Sequence, residues 1–267
     1  MALASTQQFF NAVKRSNHIL ICTKKAHSVD GIASALGLGL ILENIGKRVD
    51  VACDDFSAPK SLAFFTHLHR VQPKLNQLQK FIISLDLAKT KLDELTYAVE
   101  ENKLKIFIAP KEGQYAPHDV TTAPSDFKYD VIITIDTPDY TSLGDLFSKH
   151  SEFFYHRPTI NIDNEPTNEQ YGNINIVDIA ATSSAEIIYE LCKENGEHFL
   201  SDDVATYLLA GMIAKTKSFK TPNVTPKTLT YASELVAAGG RRAEIVQQLY
   251  KTRSLATLKL WGRALER

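Results

Sequence analysis

The chain has 267 residues, with 30 Lys+Arg against 31 Asp+Glu and a formal charge of -1. Its 44% hydrophobic and 23% charged residues exclude a disordered chain, a collagen-like repeat and a disulfide miniprotein. The near-zero charge speaks against a strongly basic nucleic-acid coat or a polybasic membrane binder, but it conceals a division: residues 201–267 carry 11 Lys+Arg against 5 Asp+Glu, leaving 19 against 26 in residues 1–200.

Taken in chain order, short β-rich runs alternate with longer helical stretches. HILICT (18–23) reads as a strand and residues 28–46 as a helix with a broad apolar face; RVDVAC (48–53), FIISLD (81–86), YDVIITID (129–136) and PTINID (158–163) read as further strands. The alternation predicts right-handed crossovers and an α/β fold, a doubly wound and mostly parallel Rossmann-like sheet. Between 87 and 118, LTYAVEE and LKIFIAP flank a polar turn and predict an inserted β-hairpin. From Thr182 onward the signal is helical. Ser183 and Glu186 have capping-box spacing for a helix closing at Gly196, and helical segments follow over 202–215, 225–240, 241–250 and 254–266. The expected organisation is a core over 1–200, completed by a helical segment over 201–267.

The longest aliphatic and glycine run, 35–42, is far short of the ~20 residues of a membrane span, and the first 20 residues lack a secretory pattern. Cys22, Cys53 and Cys192 are far apart with no CxxC, which predicts reduced, buried thiols in a cytoplasmic protein. His67 and His69 form the one close histidine pair, without neighbours to complete a zinc site.

Ligands of open α/β sheets bind beyond the carboxyl ends of the strands. Asp30 lies after the first strand, Asp136 ends YDVIITID, Asp163 ends PTINID and Glu165 follows. Carboxylates from three strands meeting at one edge would suit a divalent-cation site for phosphate chemistry. Each also has a structural reading: Asp30 as a helix cap, Asp136 ahead of a helix that Thr137 caps and Pro138 begins, and Asp163 as an Asx brace.

With these residues in hand, the chain resembles the DHH superfamily of RecJ-like phosphoesterases over residues ~15–267. That superfamily includes exonucleases, nano-RNases, phosphatases of 3′-phosphoadenosine 5′-phosphate and cyclic-dinucleotide phosphodiesterases. Four segments carry the resemblance: ILICTKKAHSVDGIASALGL, VIITIDTPDYTSLG, INIDNEPTNEQYGNINIVD and AGMIAKTKSFKT. It implies a site for Mn²⁺ or Mg²⁺ and a nucleotide or short-oligonucleotide substrate. The family generally continues into a smaller substrate-binding domain, and no such second domain is expected within this chain.

The residues depart from the family pattern where its metals bind. The family histidine of the first segment aligns with Lys24 and its first aspartate with Ser28, leaving Asp30; His27 is out of register. Asp136 is kept. Asp163 is kept, but the two histidines that name the family become Asn164 and Glu165, and the aspartate of the fourth segment becomes Lys215. Three readings stay open. In one, Lys24 and Lys215 pair with the retained aspartates in a structural salt-bridge network. In another, Lys24, Ser28, Gly31 and Lys215 form a phosphate pocket that holds a nucleotide without metal or hydrolysis. In the last, the chain is an active phosphodiesterase or phosphatase using Asp30, Asp136 and Asp163, with a metal on Asp30, Asp136 and Glu165, or on His27 in place of Glu165. A protein partner fits any of them; no membrane is expected, and the oligomeric state is not specified.

Overall fold

Aliphatic runs of five or six residues, several of them β-branched, supply strands that are buried on both faces, as a central parallel sheet requires. In the computed structural model, which describes residues 4–193 and 199–251, helix α1 (Ser5–Arg15) leads into strand β1 (His18–Thr23). Helix α2 (Val29–Asn44) crosses to β2 (Arg48–Cys53), followed by the short β3 (Val71–Gln72). Strands β4 (Phe81–Leu85), β5 (Leu92–Glu100), β6 (Lys103–Pro110) and β7 (Val120–Pro124) come next. The chain continues through β8 (Val131–Ile135), the short helices α3 (Asp145–Ser148) and α4 (Ser151–His156), β9 (Thr159–Asp163) and β10 (Ile174–Val177). Helices α5 (Ser184–Lys193), α6 (Asp202–Lys215), α7 (Pro226–Ala237) and α8 (Arg242–Val246) follow.

Two units separate: one from residues 1–76 and 129–267, the other from residues 77–128. In the larger, six strands lie in the order β10-β9-β8-β1-β2-β3, and every neighbouring pair is parallel. The chain starts at the centre with β1, winds out to β3, and returns on the other side of β1 with β8. The winding direction therefore reverses between β1 and β8, the place where open α/β sheets bind ligands beyond the carboxyl ends of their strands.

Helix α2 is buried along most of its length because it packs on β1 and β2 and also against α5 and α6. That two-sided burial explains why its sequence is apolar nearly all round. Helices α7 and α8 pack on α6 in turn, so the C-terminal helices belong to the same unit as the sheet. At the start of α5, Ser183 Oγ accepts from the Glu186 N–H at 3.1 Å, but the Glu186 carboxylate accepts from the Thr182 N–H at 2.9 Å, one residue before the expected partner.

The strand expected at 81–86 is formed, but outside the parallel sheet. β4 pairs antiparallel with β7 in the smaller unit. A parallel return needs a long crossover, normally a helix, and residues 86–119 form only a hairpin and one turn of 3-10 helix. In the hairpin, β5 and β6 pair around Glu101 and Asn102, both with positive φ (47° and 62°). Two left-handed residues are what a two-residue hairpin turn requires. Helix α1 and the short β3 and β10 were not read from the sequence, and the expected helix end at Gly196 and helix over 254–266 lie outside the described residues.

The three cysteines are free and buried, and burial pushes the Cys192 thiol up to about 12. Among the described residues, no helix is long and apolar enough to cross a membrane.

The close approach of α2, α5 and α6 depends on Gly211. A Cβ there would stand 2.6 Å from Asp30 Oδ1 and 2.7 Å from Ala185 Cβ. Gly211→Ala is expected to cost about 1–3 kcal/mol through overpacking, read as a lower urea midpoint with an unchanged slope. Parent-like stability would mean that the three helices are looser than described.

Candidate functional site

Thr23 and Ile135 are paired residues at the ends of β1 and β8, so the next residue of each strand, Lys24 and Asp136, leave the sheet side by side at the reversal point. The Lys24 ammonium lies 3.0 Å from Asp136 Oδ1. Asp136 is fully buried and left-handed, with φ 51°, a conformation that aspartate tolerates better than most residues. Its own N–H donates to Ile162 O at 3.1 Å, and Thr137 Oγ1 donates back to Ile135 O at 2.9 Å, which holds a turn here in place of the helix expected to begin at Pro138.

The other oxygen of Asp136 faces α2. Ser28 Oγ donates to Asp136 Oδ2 at 2.6 Å and accepts from the Gly31 N–H at 2.8 Å, so one hydroxyl caps the helix and binds the carboxylate. A side chain at position 31 would crowd this contact, since its Cβ would lie 3.2 Å from Asp136 Oδ2. The last residue of α6 closes the cluster. Lys215 Nζ lies 3.6 Å from Asp136 Oδ1 and donates to Glu165 Oε1 at 2.5 Å. Burial works against the Lys215 charge, but the bond to Glu165 and the charges of Asp136 and Asp30 outweigh it, so its pKa rises and it stays an ammonium at neutral pH.

After Lys215 and the cap residue Thr216 the chain turns through three consecutive left-handed residues, Lys217, Ser218 and Phe219, at φ 49°, 62° and 62°. Such a run is costly for L-residues. It is held by the Ser218 N–H on Ile213 O at 2.8 Å and the Phe219 N–H on Thr216 Oγ1 at 3.0 Å.

The other two predicted aspartates turn their oxygens to donors of their own. Asp30 is buried and accepts from the Ser184 N–H at 2.8 Å, the Ala185 N–H at 3.1 Å and Ser34 Oγ at 3.2 Å. It thus caps α5 from a distance of more than 150 residues in sequence. Burial, and then the charge of Asp136, push its pKa up to about 6 against those N–H donors. Asp163 accepts from the Asn164 N–H at 2.7 Å, the Glu165 N–H at 3.2 Å and Asn168 Nδ2 at 2.7 Å, while burial raises its pKa.

Lys24, Ser28, Gly31, Asp136, Glu165 and Lys215 therefore meet around one carboxylate. Gly31 contributes clearance and a capping N–H that is already engaged. His27 is packed edge-on against Phe56, ring centroids 5.1 Å apart. His67 shares a hydrogen bond with the Tyr207 hydroxyl at 2.8 Å. Sequence reading missed Asn168, which donates to both Asp163 and Thr137 O, and Asn161, which donates to Asn168. The asparagines crowded into INIDNEPTNEQYGN, one of them two residues before Asp163 on the same face of β9, were the available signal. Among the described residues, no three His, Cys, Asp or Glu side chains are grouped to hold a metal ion.

The raised pKa of Asp30 has a definite sign for stability. An acid whose folded pKa lies above its unfolded value stabilises the fold fully below the unfolded value, and that contribution is lost as pH rises through the folded value. Between pH ~4 and pH ~6, Asp30→Asn should therefore gain on the parent protein, by on the order of 2–3 kcal/mol at most. Urea denaturation of both proteins across that range is the measurement; a stability difference that does not change with pH would contradict it.

The sequence profile of the DHH family, N-terminal domain, matches residues 18–212, well over half of the chain. The bifunctional oligoribonuclease and PAP phosphatase NrnA of Bacillus subtilis is 41% identical over 103 residues, covering 38% of this chain and 33% of that protein. The probable bifunctional oligoribonuclease and PAP phosphatase NrnA of Streptococcus mutans is 32% identical over 124 residues, 46% and 38% of the two chains. The match thus spans about a third of the length of the curated relatives. An exopolyphosphatase-related protein from Bacteroides fragilis has the same fold, with a TM-score of 0.71 at 18% identity over 100% of this chain and 66% of its own. The profile match runs through the turns that carry Lys24, Asp30, Asp136 and Asp163, and by it this chain belongs to the DHH family.

Proposed function

We propose that this DHH-family domain binds a nucleotide or short oligonucleotide by its phosphate at the cluster around Asp136, without hydrolysing it through divalent cations. The observation that carries the reading is the convergence of the Lys24 and Lys215 ammonium groups on Asp136, at 3.0 and 3.6 Å. Phosphoesterases of the family generally depend on divalent metals. Here the donor set does not fit a pair of them. A divalent cation on Asp136 would stand beside two like charges, and the oxygens of Asp30 and Asp163 are already engaged by N–H and hydroxyl donors.

Two ammonium groups supply positive charge and hydrogen-bond donors but do not make a metal-bound hydroxide. They suit retention of a phosphate and leave water unactivated. Both lysine side chains are partly exposed, and the amino-terminal end of α2 adds a favourable field for an anion. The two acids of the cluster are not equivalent. Asp136 is wholly buried, whereas the Glu165 side chain is 35% exposed, so Glu165 is the group an incoming phosphate would displace from Lys215. The free, buried thiols accord with a reducing cytoplasmic setting.

Two other readings remain distinct in experiment. A structural scaffold would use the ion pairs to hold the strand ends and bind no phosphate. An atypical Mn²⁺-dependent phosphodiesterase draws on the activities named for the curated relatives. Calorimetric titration with 3′-phosphoadenosine 5′-phosphate and with a linear dinucleotide should show binding that Lys24→Ala and Lys215→Ala each weaken by roughly 10-fold or more. Glu165→Gln should tighten it, because the competing carboxylate charge is gone. No phosphate or mononucleotide should be released in the presence of Mn²⁺. Turnover abolished by both Asp30→Ala and Asp136→Ala would overturn the proposal, and an absence of binding would favour the scaffold.

A further inference from the structure

The smaller unit has no fully buried apolar side chain. Within residues 77–128, all of them described, the two buried residues are polar, Thr90 and Asp119. Its strands form two separate two-stranded sheets, β4 with β7 and β5 with β6. A two-stranded pair is marginal in water unless its apolar face is covered.

The register of the β5–β6 hairpin sorts its side chains by face. Leu95 lies opposite Ile108, Tyr97 opposite Ile106 and Val99 opposite Leu104. The alternate positions pair Thr96 with Phe107, Ala98 with Lys105 and Glu100 with Lys103, and there the Lys105 ammonium is 2.5 Å from the Glu100 carboxylate. One face is thus wholly apolar and the other carries the charges. Five of the six apolar-face side chains are exposed, from 38% for Ile106 to 72% for Tyr97. A contiguous patch of this kind marks an interaction surface.

We propose that this face packs against the same face of a second copy, giving a two-fold dimer through the β5–β6 hairpins. Three observations favour a copy of the chain over a different partner. The face carries no charge, so it is complementary to itself, as a two-fold interface requires. Residues 77–128 hold 7 Lys against 8 Asp+Glu, so two copies do not repel and neither a strongly acidic nor a strongly basic partner is favoured. The exposed side chains leave on the order of 500 Å² of apolar surface per copy, which brings two stacked faces to the ~1,000 Å² of a specific interface. Two like-twisted hairpins stack in the same way as the sheets of a β-sandwich.

Sedimentation velocity on the full chain over the micromolar range should show a dimer. Tyr97→Lys combined with Val99→Lys sets like charges against each other across the two-fold axis and should weaken dimerisation by at least 10-fold, whereas Thr96→Lys on the opposite face should leave it unchanged. Because the native thiols are buried, a single introduced cysteine gives an independent readout that does not require the double variant to fold. Tyr97→Cys should give a covalent dimer with a short bismaleimide, and Thr96→Cys should not. A monomeric parent protein at every concentration would overturn the proposal, as would a dimer that survives the double lysine variant with its circular dichroism intact.

Discussion

A buried carboxylate at the point where the sheet reverses is the constraint on which the site depends. Asp136 has no exposed surface, and a charge so placed is sustained only by partners that reach it through the protein. Those partners come from three elements: the turn after β1 supplies Lys24, the start of α2 supplies Ser28, and the end of α6 supplies Lys215. Glu165, beyond β9, engages the second ammonium. A buried ion network of this kind is a weak source of net stability, yet removing one member leaves an uncompensated charge that costs several kcal/mol, roughly 3–5 in comparable cases. The network therefore ties the placement of α6 to the sheet edge. Lys215 belongs to the basic segment and Asp136 to the acidic one, so the division concealed by the net charge of -1 is bridged at the strand ends.

The other two strand-end aspartates show how a carboxylate becomes structural when donors surround it. Asp30 satisfies the first N–H groups of α5, which would otherwise be buried without partners. Gly211 provides the clearance for α6 to pass over that contact. Asp163 gathers two backbone N–H groups of its own turn and the amide of Asn168, which also binds the carbonyl of Thr137 in the Asp136 turn. The two turns are thereby linked, and the left-handed geometry at Asp136 is held from both sides of its peptide. In all three cases the carboxylate oxygens meet fixed protein donors or ammonium groups, which holds the side chains in place.

The two units rest on different physics. The larger buries its aliphatic strands between helices and has a continuous core. The smaller relies on hairpin turns and cross-strand pairs, and its apolar residues face outward. Its hydrophobic residues were as visible in the sequence as those of the sheet. FIISL resembles VIITI in composition, and what separates them is the partner each strand meets. VIITI lies between two parallel neighbours, while FIISL has one antiparallel neighbour and open solvent.

The sequence by itself determined the alternating strand and helix order, because periodicity and capping residues act over a few positions. It also placed Asp30, Asp136, Asp163 and Glu165 at or just beyond the strand ends, whereas Lys24 and Lys215 stood out only through the resemblance to the DHH superfamily. Only the tertiary structure decided which carboxylate those lysines meet. Lys24 could have paired with Asp30, six residues away, yet it reaches Asp136 because β1 and β8 are adjacent in the sheet. Asp30 instead faces helix α5, and Gly31 gives its N–H to Ser28. Nothing local announces such contacts. Apart from the Ser28 cap, they join residues 108 to 155 positions apart, such as Ser28 with Asp136 and Asp30 with Ala185, and are set by strand order and helix packing, which arise only when the whole core is assembled.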